Sequence, residues 1–482
     1  MKFYKTILGL VFSTVFILTA CDTDLDINKD PDLLNPNQIP MNSELPTAIT
    51  GIAASSGSYY ALAGGFWSQF WSQSAVANQY KSLDDYSLNG SSSIVEGGWS
   101  SMYDALTDIR NIKKNALAEN NWNFYLAATT LEVYASQILV DFFGTIPYSE
   151  ANNPEILNPK FQSGEDVYDI MVADLKGALS KDLSTSEGSL IGSGDLLFSG
   201  DMDNWVKFAN TLLLKLYMRQ SKARPVVAQD GITTLINSGA KFLDVDVAVT
   251  QFVDEDSKSN PLYETDRRQL NVGTNLRASR TLGSFLQNNN DTRLSDFYDG
   301  TTFQNQGDYD DGSATASVVI LSPTSPVYLL SAAESYFLQA EADVRYFGGT
   351  NAKSFYDMGV TAAFNQWGKS VDATGFLTTV YAYPGGTDED NINAIITQKW
   401  IASFPGNGYE SFIEQNRTGY PKISSVSQTD PTYVPGEFAY SVEGKTGGKF
   451  PKRFEYPQTE RQRNTNAPNE IIKITEPVWY AK

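Results

Sequence analysis

Histidine is absent from the sequence and Cys21 is its single cysteine. That removes His-assisted nucleophiles, His or Cys zinc sites and any disulfide within the chain, leaving carboxylates as the groups that could do chemistry. A glycosidase needs two of them facing each other across a cleft at about 5 to 9.5 Å. Glu334, Glu341 and Asp343 fall on one predicted helix and Asp254, Glu255 and Asp256 in one loop. Neither group implies a partner across a cleft, and a run of charge reads first as solvated surface. Asp22, Asp24 and Asp26 open like a calcium loop, but Ile27 stands where the turn needs glycine and Leu33 where the bidentate Glu belongs. No catalytic residue, metal or cofactor is expected.

Binding is the other chemistry open to this composition. The chain holds 8 Trp, 26 Tyr and 26 Phe; flat rings stack on the C–H faces of pyranoses while amides and carboxylates read hydroxyls. The densest candidate platform is Phe66-Trp67-Ser-Gln69-Phe-Trp71-Ser-Gln73. As a helix it puts Trp67 and Trp71 on one face, followed by Asn78, Gln79 and Tyr80 as polar partners. Tyr309, within Gln306-Gly-Asp-Tyr-Asp-Asp-Gly312, is a second candidate in a glycine-flanked acidic loop. Each has a plainer reading. The lack of strong charge around Trp67 and Trp71 favours core, and Tyr309 reads equally well as a solvated turn. Trp99, Trp205 and Trp400 lie on predicted helix faces and are assigned to packing.

The elements that must position these residues are mainly helical. Trp99, Met102, Tyr103, Leu106 and Ile109 share one face, and Phe124, Ala127, Leu131, Tyr134, Ile138 and Phe142 another. Gly144 and Pro147 should end the second helix. Ser163 with Asp166 resembles a capping box opening a third. A fourth runs over Trp205 to Leu216, stopped by Pro225; a further pair spans Val327–Phe347 and Ala352–Trp367; another covers Asn393–Ala402. Tandem pairs of roughly 34 to 45 residues are the unit of a tetratricopeptide-like scaffold. Here long insertions such as 226–326, with short strand-like runs such as Val318–Leu321, interrupt them. Residues 403–482 read as irregular chain wrapped on the helices. The expected fold is mainly α, with tetratricopeptide-like helix pairs, long irregular insertions and short β elements.

Lys plus Arg number 36 against 56 Asp plus Glu, a net charge of −20, which argues against nucleic acid as a partner. The first residues read as an export leader. Lys2 and Lys5 precede an uncharged run from Ile7 to Ala20, too short to span a bilayer, where about 20 apolar residues are needed. The leader ends in Leu18-Thr19-Ala20-Cys21, which resembles the lipobox of bacterial lipoproteins, whose cysteine is acylated and becomes the first mature residue. Several acyl chains would hold the protein durably on a membrane. The expected organisation is a leader over 1–20, lipidated Cys21 and an acidic tether over 21–46, and one ligand-binding domain over 47–482.

Four segments carry a wider resemblance. Asp141-Phe-Phe-Gly-Thr-Ile-Pro-Tyr-Ser-Glu-Ala151, Gln398-Lys-Trp-Ile-Ala402, Glu414-Gln-Asn-Arg-Thr-Gly-Tyr-Pro421 and Phe450-Pro-Lys-Arg-Phe-Glu-Tyr-Pro-Gln-Thr-Glu460 are similar, in order and behind a lipobox, to the hallmarks of the SusD/RagB family. Asn416 departs from the pattern, which often has a second arginine there. The resemblance implies a surface-exposed outer-membrane lipoprotein of Bacteroidota. Such a protein captures an oligosaccharide, or alternatively a peptide, and delivers it as a lid to a SusC-like TonB-dependent transporter barrel. A helical-repeat module that binds only protein is the other reading of the helices. The motifs themselves read as structural: Gly144 and Pro147 set a turn, and Arg453 is expected to pair with a carboxylate.

Overall fold

The apolar stripes find their partners in a computed structural model, which describes residues 39–270, 273–309 and 315–482. Numbering the helices of seven residues or more, the chain runs through α1 (Met41–Ser55), α2 (Ala61–Trp67), α3 (Ser93–Ala118), α4 (Trp122–Phe143), α5 (Gly164–Leu179), α6 (Met202–Arg219) and α7 (Pro225–Asn237). It continues with α8 (Arg280–Asn288), α9 (Ala332–Tyr346), α10 (Ala352–Asn365), α11 (Ser370–Leu377), α12 (Asp388–Ala402) and α13 (Gly408–Thr418). Helices pack pairwise, α3 on α4, α6 on α7 and α9 on α10, while α4 also carries α5 and α6, and α9 carries α12. This is the expected mainly α fold with helix pairs. Three two-stranded antiparallel ribbons accompany it: β1 (Trp71–Gln73) with β5 (Leu276–Ala278), β2 (Ile146–Pro147) with β3 (Phe161–Gln162), and β4 (Val247–Val249) with β6 (Val327–Leu330).

Local chemistry sets the ends. Ser163 Oγ accepts from Asp166 N at 3.1 Å and donates to Asp166 Oδ2 at 2.7 Å, so the predicted cap opens α5. Gly144 ends α4 with φ +83°, a left-handed turn that a side chain resists.

Three boundaries differ from the sequence reading. Met41 to Pro46, read as tether, belong to α1, where Leu45, Ala48, Ile49 and Ile52 are buried along one stripe. The compact unit thus begins at Met41. Pro225 does not merely end a helix but opens α7, because proline's missing N–H costs nothing in a first turn. Val327–Leu330, read as helix, is strand β6. The leader, Cys21 and the acidic run Asp22–Asp32 lie outside the described residues.

A close helix crossing joins α2 to the start of α13. A methyl group on Gly64 would sit 2.0 Å from the Tyr409 backbone nitrogen, so only hydrogen fits there. Gly64→Ala is expected to push α13 off and cost about 3 kcal/mol of stability. Chemical denaturation measures it, and an unchanged midpoint would remove the contact from the account.

Candidate functional site

The two tryptophans of the predicted platform do not share a face. Helix α2 ends at Trp67, Gln69 turns the chain with φ +56°, and Trp71 begins β1. Trp67 is 4% exposed, its ring packed on Phe412 at 4.9 Å and Phe454 at 5.2 Å, and its indole N–H donates to Leu83 O at 3.2 Å. Trp71 is fully buried between Gly65 and the rings of Phe66, Phe70 and Phe404. Neither ring offers a face to a ligand; both are core. Trp99, Trp205 and Trp400 are buried as assigned.

What β1 presents instead is a polar undersurface. Asp84 accepts from Ser72 Oγ at 2.6 Å, Gln73 N at 2.7 Å and Gln306 Nε2 at 2.5 Å. Burial pushes its carboxyl up to about 7, against the pull of those donors. Gln304 Nε2 donates to Gln73 O at 2.7 Å, and Gln428 Oε1 accepts from Gln306 N at 2.6 Å. The network pins the 304–309 loop to β1 and thereby places Tyr309.

Tyr309 is 6% exposed; its hydroxyl donates to Asp85 Oδ2 at 3.2 Å and the Lys81 ammonium lies 4.4 Å from its ring centroid. Tyr80 is adjacent to that lysine in sequence and is likewise buried, its backbone N–H held by Gln73 Oε1 at 2.7 Å. Burial, and then Asp266, push its hydroxyl well above the usual range. The turn between them exposes Asn78 and Gln79. The structure therefore brings Lys81 to Tyr309, with Tyr80 buried next to that lysine in the chain, and leaves Trp67 and Trp71 in the core. A wider hollow of about 640 Å³ between α9 and α10, with Tyr336, Asp357 and Met358 in its wall, contains none of the predicted residues.

Sequence reasoning missed the most concentrated polar feature, a buried cluster of ions. Arg219 on α6 reaches Asp141 at 3.1 Å, Glu410 at 2.8 Å and Glu414; Lys215 reaches Glu410 at 2.5 Å and Glu334 at 3.1 Å. Lys399 reaches Glu334 at 3.3 Å, and Arg417 grips Glu341 at 2.6 Å and also Glu414. Burial presses the carboxyls of Glu341, Glu410 and Glu414 upward, but the surrounding cations overcome it and hold them below their ordinary range. Burial prevails at Asp141, raised to about 6 despite Arg219.

These carboxylates are spoken for. Glu334 and Glu341 belong to the cluster, and Asp343 accepts from Asn351 N at 2.8 Å where α9 turns into α10. Asp254 and Asp256, 67% and 91% exposed, lie on Arg268 at the surface. No two of the carboxylates singled out from the sequence face each other across an open cleft. Among the described residues no group of three or more acidic, His or Cys side chains could hold a metal ion, and no helix is long and apolar enough to cross a membrane.

The conspicuous sequence motifs meet one another. Tyr456 donates to Phe143 O at 2.8 Å and lies 2.5 Å from Thr145 Oγ1, and the Phe454 N–H donates to Phe142 O at 2.9 Å. Arg453 donates to the carbonyls of Phe143 and Phe454 and its guanidinium lies over the Tyr456 ring. It serves backbone oxygens left open at the end of α4, not the expected carboxylate. The family model described as "Starch-binding associating with outer membrane" matches residues 36–457. The chain belongs to the SusD-like family.

Solved SusD homologues share the fold. One from Bacteroides uniformis is 24% identical with TM-score 0.71, covering 91% of this chain and 99% of its own. A SusD/RagB family protein from Bacteroides thetaiotaomicron is 19% identical with TM-score 0.75, at 92% and 99% coverage. A chitin-binding SusD homologue from Flavobacterium johnsoniae is 22% identical with TM-score 0.73, at 91% and 98%. No curated protein matches the sequence. In this SusD-like chain the family motifs hold the fold together: Asp141, Lys399, Glu414 and Arg417 supply the ion cluster, and Arg453 and Tyr456 clasp the end of α4.

Proposed function

We propose that this SusD-like protein is a surface lipoprotein, anchored to the outer membrane through Cys21, that captures a glycan and passes it to a SusC-like TonB-dependent transporter. The observation that carries this reading is the family match across almost the whole chain, to a model described as starch-binding and outer-membrane associated. A solved relative of the same fold described as chitin-binding supports a saccharide over a peptide. The lipobox at Leu18–Cys21 supports the anchor.

The loop cluster around Tyr80 and Tyr309 is the surface we assign to the ligand. The Lys81 ammonium covers the Tyr309 ring at 4.4 Å from its centroid; a pyranose that takes its place would gain the ring face, with the exposed Asn78 and Gln79 as hydroxyl partners. Handover needs reversible binding, so the affinity should be modest.

The test is calorimetric titration of the full chain with neutral and acidic oligosaccharides and short peptides. A saccharide is expected to bind, and Tyr309→Ala to weaken it about tenfold at temperatures where the variant is still fully folded, as the loss of one stacked ring implies. A Cys21→Ser chain is expected in the soluble fraction of cells. Peptide binding in place of saccharide would replace the glycan, and silence across the panel would sink the capture role.

A further inference from the structure

In a chain of net charge −20, one hollow has the opposite character. It measures about 510 Å³ and lies where α13 ends, with Asn416 and Thr418 on one wall and Lys222 and Lys452 on others. Lys452 Nζ donates to Asn416 Oδ1 at 2.7 Å, and Lys222 Nζ to Ala481 O at 2.9 Å. Neither lysine forms an ion pair among the described residues. The other cations in the wall, Arg345 and Arg417, are already committed to Glu341. The carboxylate there, Glu389, accepts from the Tyr420 hydroxyl at 2.6 Å.

An ammonium without a counter-charge is costly where water is partly excluded, as at Lys452, with the exposed Lys222 beside it. Burial first, and then Lys222, pull the Lys452 ammonium down to about 8. Asn416 adds a second unmet demand. It is 6% exposed, its Oδ1 is taken by Lys452, and its Nδ2 has no hydrogen-bond partner. A buried donor left unpaired is expensive in a structure that pairs nearly all others. An anion in the hollow would answer both ammoniums at once.

We propose that this hollow is an anion site, in which Lys222 and Lys452 supply charge, and Asn416 holds the Lys452 ammonium in place, for a carboxylate or phosphate on a ligand of sugar size. Its volume suits such a ligand, and oxygen anions accept charge-assisted bonds from this donor set. The site stands apart from the Tyr309 loop cluster and does not depend on the glycan-capture reading.

Titration of the full chain at low salt with sodium glucuronate, inorganic phosphate and glucose separates the outcomes. Glucuronate is expected to bind in the millimolar range and glucose not at all. Binding of phosphate as well widens the site to phosphoryl groups, and its absence confines the site to sugar acids. Lys452→Met should weaken the anion about tenfold. Asn416→Asp, which sets a carboxylate beside the lysine, should abolish anion binding and raise the melting temperature. The inference is overturned if neither anion binds, if glucose binds as well as glucuronate, or if folded Asn416→Asp keeps the wild-type affinity.

Discussion

Arg219→Met is expected to destabilise the protein by about 5 kcal/mol, the upper end of what breaking a buried ion pair costs. The guanidinium is fully buried and serves Asp141, Glu410 and Glu414 together. A methionine of similar volume keeps the packing but leaves three carboxylates short of their cation, on α4 and α13. The energy lost is therefore mostly that of stranded charge. Adding Glu414→Gln to Arg219→Met removes one of those charges and should recover part of the loss, so the pair must be non-additive in denaturant titrations. Additive losses would mean that Arg219 acts through packing alone. An Arg219→Met protein with wild-type stability would show that the cluster contributes nothing net.

Trp71→Ala comes next in size, at about 4 kcal/mol, because a fully buried indole leaves a cavity that Gly65 on one side and Phe404 on the other cannot fill. Any loss of glycan binding in this variant should follow its unfolding curve. Tyr309→Ala should show the reverse, with binding weakened at temperatures where the variant is still fully folded. If Trp71→Ala instead kept its stability and lost the ligand, the assignment of this ring to the core would fall.

How far the sequence could be read follows from which forces act locally. The faces of α3 and α4 repeat with helical spacing and their partners lie next to each other in the chain, so both helices were legible, as were the Gly144 and Ser163 ends. Helix α13 was not. Its buried positions include Glu410, Glu414, Gln415 and Arg417, so it shows no apolar stripe although it lies in the interior. The ions that compensate it come from α6, α9 and α12, a match only the tertiary fold reveals. The platform at Trp67 and Trp71 failed for a smaller reason. Four-residue spacing implies a common face only while the helix lasts, and the left-handed turn at Gln69 ends that regularity. At the candidate site, Tyr309 and Tyr80 could be named from their loop context, but the contact of Lys81 with Tyr309 depends on Gln304 and Gln306 bridging to β1. Those contacts span more than two hundred residues.

The clasp of Arg453 and Tyr456 on the end of α4 sets a timetable for the molecule. Its hydrogen bonds join residues separated by as many as 313 positions, and the Phe454 ring it carries packs tilted on Phe142 at 4.5 Å. Until residues 453–456 have emerged, Phe142 lacks one wall of its pocket and the carbonyls closing α4 lack their donors. The core around α4 consequently cannot settle before that segment joins it, and contacts this distant are slow to form. On the export reading proposed above, a fold closed by so distant a segment would keep the chain threadable for as long as threading is needed.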